Sequence, residues 1–278
     1  MAENYCCPEW DGTLSIDPKD CTFPRFCKQP FSPLRVSYFI PASGPWVKIL
    51  DQLNSDITQR NWWRAGRSFS AAEILADSVI HLVGIVAAVA AGSLLLTISL
   101  LKTAPQEIGA VALYVGTLVA VLSVSFAYNL CPPSKTKQTL ARLDQAAIFL
   151  FIAGTYTPFL TVLNDATSSR TMMTLVWGAA LGGVALKLWA PHRLGRLSIL
   201  LYLATGFSGV LIFQSMAASL PTVSIWLIAA GCATYVIGII FHLWEKIRFQ
   251  TALWHLFVVL AAMLHFVAVL DCMVLSRL

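Results

Sequence analysis

Apolar positions come in seven long runs, at approximately 73–101, 108–130, 144–163, 171–190, 195–217, 221–243 and 251–275. Each is close to the roughly 20 residues that a helix needs to cross the hydrocarbon of a bilayer. The links between runs are short, so neighbours in sequence should be antiparallel neighbours in space. Run four carries a GxxxG at Gly178 and Gly182, and Gly206 and Gly209 thin out run five. Small residues at this spacing let helices approach closely; packing within the bundle is the favoured reading, a dimer face the other.

The pattern upstream is different. Residues 1–42 are rich in Cys, Pro and aromatics and keep no period, as an irregular segment that needs a partner surface would. Residues 43–60 read as an amphipathic helix, with Pro45 at its first position and Trp46, Ile49, Leu50, Leu53 and Ile57 on one stripe. Trp62 and Trp63 beside Arg64 suit the level of the lipid headgroups. The division expected is therefore an extension over 1–70 and an all-α, seven-helix membrane domain over 71–278.

Composition agrees with a membrane solvent. Of the 278 residues 57% are hydrophobic and 12% charged, with mean hydropathy +0.71, whereas soluble domains carry about 25% charged residues. The net charge of +5 is modest and sits in loops. Lys135, Lys137, Arg142, His192, Arg193, Arg196, Lys246 and Arg248 fall on one side with Arg60, Arg64 and Arg67; the other side holds Lys102 and Arg170. By the positive-inside rule the N-terminus is cytosolic, or its organellar equivalent, and the C-terminus outside. Nothing resembles an aromatic-basic nucleic-acid motif. The first residues lack the apolar stretch of a cleavable signal. Cys6, Cys7, Cys21 and Cys27 lack the paired spacing of a zinc module, and free thiols are the plainest reading for a cytosolic segment.

Polar groups inside the runs need a reason, because charge in hydrocarbon is costly. Glu73, Asp77 and His81 stand one helical turn apart and share a face of the first span. Ser125 and Asn129 end the second span, Asp144 opens the third, and Thr251 and His255 open the seventh, all on one side of the membrane. Five polar groups at matched depth suggest a site.

These residues lie in segments that resemble a known family. EILADSVIHLVGI (Glu73–Ile85), SFAYN (Ser125–Asn129), RLDQAAIFLFIAGTYTPF (Arg142–Phe159) and ALWHLFVVLAAMLHF (Ala252–Phe266) are similar, in order and spacing, to the hemolysin III branch of the progestin and adipoQ receptor family, which includes the adiponectin receptors. The resemblance implies a zinc ion near the cytoplasmic face. It is held by the His of an S-x-x-x-H motif in span two and an H-x-x-x-H pair in span seven, with an Asp of span three holding a zinc-bound water. Carried over, Ser125, Asp144 and His255 are kept, while Asn129 and Thr251 stand where histidines are implied. Amide and hydroxyl are weak ligands for zinc. Cys131 is a remote substitute, His265 lies nearly three turns past His255 and too deep to share an ion with it, and His242, on the loop side of span six, could reach only by folding back.

The expectation is thus a pseudoenzyme: a scaffold or accessory subunit of a larger membrane assembly, with no cofactor, or zinc on the remnant Asp144 and His255. Its partners would be membrane lipids, with proteins reached through residues 1–70 and no nucleic acid. Ser125, Asn129, Asp144, Thr251 and His255 would form a hydrogen-bonded plug, with Glu73, Asp77 and His81 as a further network. The alternatives are a zinc-dependent lipid amide hydrolase of ceramidase type, with Ser125 and Asp144 catalytic, and a lipid-sensing receptor. The protein would be a multi-pass component of a plasma or organellar inner membrane.

Overall fold

Ser70 begins the first helix, α1 (Ala71–Lys102), with a reciprocal cap. Its hydroxyl accepts the Glu73 N–H at 3.3 Å, and the Glu73 carboxylate accepts the Ser70 N–H at 2.9 Å. The computed structural model describes residues 70–189, 197–244 and 246–277. The expected amphipathic helix at 43–60, the tryptophan anchor, the four N-terminal cysteines, and His192, Arg193 and Arg196 lie outside these residues.

The other helices are α2 (Pro105–Leu130), α3 (Lys135–Thr161), α4 (Ala166–Trp189), α5 (Leu197–Gly206), α6 (Phe213–Ser219), α7 (Thr222–Leu243) and α8 (Gln250–Met273). Among the described residues there is no strand. Seven segments are long and apolar enough to span, with α5 and α6 together making the fifth. Successive spans α1 to α4 pack on one another, α7 packs on α8, and α8 also packs on α1. The third span is the most enclosed, so the helix bearing Asp144 runs through the middle of the bundle.

Helix α3 starts nine residues before Asp144, which corrects the expectation that Asp144 opens it. The apolar pattern cannot register the first turns because they are polar; their stability comes from capping. Ser134 accepts the Lys137 N–H at 3.1 Å. Lys137, fully buried, donates its ammonium to the Tyr128 and Cys131 carbonyls at 2.9 and 2.5 Å. A cation on these orphan carbonyls is where the dipole of α2 favours it. A residue that looks like a loop charge is therefore a clamp between two helices.

Span five is broken where the glycines thin it. A 3₁₀ turn at Ser208–Ile212 separates α5 from α6. Backbone groups freed in hydrocarbon must be paired within the protein. The Tyr156 hydroxyl does this from α3, donating to the Gly206 carbonyl at 2.6 Å and accepting the Gly209 N–H at 2.8 Å. Ser208 covers the Thr205 carbonyl at 2.7 Å.

In α4 the glycine that packs is Gly183, whose missing Cβ makes room for the Phe149 ring of α3. A Cβ at Gly178 or Gly182 would meet nothing within 4 Å. The GxxxG thus faces out of the bundle, against the favoured expectation. Its two glycines lie on the turn opposite the buried Met172, Val176 and Ala180, which follow the core-facing stripe.

Replacing Tyr156 by Phe should leave the Gly206 carbonyl and the Gly209 N–H unpaired, at about 1–3 kcal/mol for each buried group left without a partner. The detergent-purified variant should melt at a clearly lower temperature. A wild-type melting curve would show that the hydroxyl does not hold the break.

Candidate functional site

Four helices contribute to one buried polar cluster. Helix α1 places Glu73, Asp77 and His81 on its buried face, so the one-turn spacing in the sequence is borne out as a common orientation. Glu73 serves as a strut. Besides capping α1, its carboxylate accepts the N–H of Phe249 at 3.0 Å, just before α8. Phe249 has φ 60°, a left-handed backbone that bulky residues seldom adopt. One acid therefore joins the N-termini of α1 and α8, where both helix dipoles favour negative charge.

That strut sets the register of α1 on α8 and brings Asp77 to His255. The His255 Nδ1 lies 2.5 Å from Asp77 Oδ1. Because an ionised carboxylate only accepts, Nδ1 carries the proton and Nε2 is left with its lone pair. His81 is oriented in the same sense: its Nδ1 lies 2.9 Å from the Asp77 backbone carbonyl, which also only accepts. The two imidazoles meet edge to face with ring centroids 4.3 Å apart. Asp77, His81 and His255 are 4%, 1% and 9% exposed, so the group is closed to water.

Ser125 of α2 and Asp144 of α3 complete the cluster. The Ser125 hydroxyl is 3.4 Å from His255 Nε2 and faces the Asp144 carboxylate. Asp144 is also within electrostatic reach of His255 and Asp77. The other two predicted positions take no part in these bonds. Asn129 turns its amide onto its own helix, donating to the Ser125 carbonyl at 3.0 Å. Thr251 sits one turn before His255 near the start of α8. His265 bonds the Ala261 carbonyl of its own helix at 2.9 Å, and the His242 ring packs on Trp254. Cys131 caps α2 and lies beside Ser134, away from the imidazoles.

The donor types allow a fit test for the ion that the resemblance implies. At the carried-over positions, Asn129 is occupied by its own backbone and only His255 offers an imidazole. A second set brings suitable atom types together. Asp77, His81 and His255 can each present one ligand atom such that all three lie within 4.8 Å of one another. Two imidazoles and a carboxylate form a recognised donor set for zinc. The Asp77 carboxylate is already the acceptor of the His255 Nδ1–H, so as the rings stand it does not also reach an ion on the Nε2 of that ring.

Sequence reading placed Asp77 and His81 in a separate network because nothing in it gave the rotation of α1 about its axis. The available signal was the pairing of D-x-x-x-H in the first span with W-H in the last, both one or two turns from a helix start on the same side.

Similarity to known proteins follows this geometry. The family model described as "Haemolysin-III related" matches residues 70–266, which begin at the Ser70 cap and contain the whole cluster. The hemolysin-3 homolog of Bacillus subtilis (strain 168) is 32% identical over 191 residues, 68% of this chain and 89% of that protein. Hemolysin-3 of Bacillus cereus is 30% identical over 199 residues, 71% and 90% of the two chains. The monocyte to macrophage differentiation factor of Homo sapiens is 31% identical over 127 residues, 45% of this chain and 52% of its own. No solved structure matches. The match spans six helices and part of the seventh, together with the cluster that ties them, and the chain belongs to the haemolysin-III-related family of multi-pass membrane proteins.

Proposed function

We propose that this chain is a non-catalytic member of its family, a scaffold or accessory subunit of a membrane assembly. In this reading the Asp77–His81–His255 cluster ties helices together and turns over no substrate. The observation that carries it is the closure of the cluster. Asp77, His81 and His255 are all buried, the proton-bearing nitrogens are engaged, and Asn129 and Thr251 stand where the resemblance implies metal-binding histidines.

Ser125, His255 and Asp77 do stand in the order of a Ser–His–Asp relay, with gaps of 3.4 and 2.5 Å. The relay lacks what acyl transfer needs most, donors aimed at a developing oxyanion. Ser125 lies in the interior of α2, where neighbouring N–H groups are used by helix bonds, and the carboxylate next to it is Asp144. A negative group there would repel an oxyanion. Hydrolysis of a lipid amide is therefore the weaker reading.

Assembly is supported by the outward face of α4. Gly178 and Gly182 are exposed between Leu175, Leu181 and Leu186, an apolar surface on which another transmembrane helix can approach closely. Residues 1–70, which but for Ser70 lie outside the match to the family, would be the segment that meets protein partners.

Two measurements test this. The purified chain, supplied with zinc and a ceramide in mixed micelles, should release fatty acid no faster than its His255→Ala variant; a zinc-dependent rate abolished by that substitution would refute the reading. Gly178→Leu with Gly182→Leu should leave the melting temperature unchanged, since both side chains enter open space, and should lower the mass of the complex in mild detergent. If the wild-type chain already runs as a lone monomer, the subunit assignment fails.

A further inference from the structure

We propose that Arg142 of α3, Lys187 of α4 and Ser198 of α5 form a binding site for the phosphate of an anionic lipid headgroup. The site lies at the end of the bundle where α3 and α5 begin and α4 ends. It shares no residue with the polar cluster around Asp77 and does not depend on whether that cluster performs chemistry.

The starting observation is a buried cation without a counter-ion. Lys187 is 2% exposed and lies two residues before the end of α4. Its ammonium has three protons to donate, and its one hydrogen bond among the described residues goes to Gln145 Oε1 of α3 at 2.6 Å. An amide oxygen carries no net charge, and no ion pair among the described residues includes Lys187. Residues 188–202 contain no Asp or Glu, so the chain that follows brings no carboxylate to it. A lysine near the end of a membrane helix ordinarily extends its ammonium to water. This one is covered by protein, and a buried charge left without a partner is costly.

Two further donors share its surroundings. Tyr202 of α5 donates to the Gln145 carbonyl at 2.7 Å, and the Phe149 ring stands 4.5 Å from the Tyr202 ring and packs over Gly183. These contacts fix α3 against α4 and α5 at the depth of Lys187. Arg142 precedes Phe149 by two turns and so lies on the same face of α3. Ser198 precedes Tyr202 by one turn on α5, which runs parallel to α3, and comes level with the turn that carries Arg142. Each holds a buried polar atom without a hydrogen-bond partner among the described residues: Arg142 Nε and, on a residue 3% exposed, Ser198 Oγ. Asp144 is roughly 200° round the helix from Arg142 and faces Ser125 instead.

The unused capacity is all of one kind. The spare ammonium protons, the Arg142 Nε–H and the Ser198 hydroxyl all donate, and two of the three groups are positive. Ser198 also stands in the first turn of α5, where the helix dipole favours an anion. That combination selects an anion with several acceptor oxygens, which a phosphate supplies. Depth selects its source. The donors stand at helix ends, where headgroups of one leaflet lie, and basic pockets between transmembrane helices are where anionic headgroups bind. A lipid phosphate held there ties the start of the broken fifth span to α3 and α4.

The test uses the full-length chain, delipidated in maltoside detergent, with its melting temperature followed during titration. The probes are dioleoyl phosphatidylglycerol, dioleoyl phosphatidylcholine and inorganic phosphate at equal concentrations. Phosphatidylglycerol should raise the melting temperature saturably, and the other two should not. Arg142→Gln should weaken the phosphatidylglycerol midpoint by at least about fivefold, the contribution of one basic residue facing anionic lipid. Lys187→Met removes the uncompensated charge, so without lipid it should melt no lower than the wild type, and it should lose most of the response. Should that variant not fold, Arg142→Gln with Ser198→Ala should lose the response alike. No phosphatidylglycerol-dependent rise in the wild type, or a rise that these variants keep in full, overturns the proposal. An equal rise with inorganic phosphate overturns the lipid source, and an equal rise with phosphatidylcholine overturns the need for an anion.

Discussion

A polar group that enters hydrocarbon must find its partner inside the protein, and that constraint organises this molecule from one end to the other. Glu73 satisfies it at two helix starts at once. Tyr156 does so at the break in span five, and Lys137 at the end of α2. At the opposite end Ser224 donates to Asp271 at 2.7 Å, and Arg277 meets Glu107 at the same distance. Lipid supplies little hydrophobic drive for one helix to choose another. Polar ties and close apolar contacts therefore decide which helix lies next to which.

The same constraint explains how the candidate site came to be built. With the Glu73 carboxylate on the Phe249 N–H, α8 cannot turn or slide independently of α1. Asp77 lies one turn beyond Glu73, and His255 lies six residues beyond Phe249. The strut thus puts the second acid of α1 level with the first histidine of α8, and His81 follows one turn deeper. Phe249 adopts a left-handed backbone where the tie needs its N–H to point at Glu73. The cost of that conformation falls on the residue that fixes the register of the site.

Much of this was legible in the sequence. Seven apolar runs gave seven spans, and the segments around Asp77, Ser125, Asp144 and His255 carried the family resemblance. Boundaries were less legible where capping, and not apolarity, sets them, which is why α3 reaches back to Lys135. The GxxxG was ambiguous for a similar reason: Gly178 and Gly183 both look like packing residues until the helix is rotated into place, and the Phe149 ring takes only Gly183. The site was half legible. Each polar residue could be assigned a depth, but the rotation of α1 decides whether His81 joins His255 or faces elsewhere, and that is a property of tertiary packing.

The arrangement also shows how a buried centre can change hands without moving. His255 presents Nε2 towards the middle of the bundle because Asp77 holds its Nδ1. That orientation does not depend on Asn129 or Thr251, which bond or lie elsewhere. The neutral side chains at both positions leave out the ligands that the resemblance implies on the α2 side and at the start of α8, while the α1 side of His255 is intact. The Asp77 carboxylate orients the ring from that side, and the His81 ring packs beside it. In the non-catalytic reading proposed above, chemistry that needs a coordination position next to α2 would be lost by such substitutions. The tie between α1 and α8 would not be, because its groups are those that already hold the two helices in register.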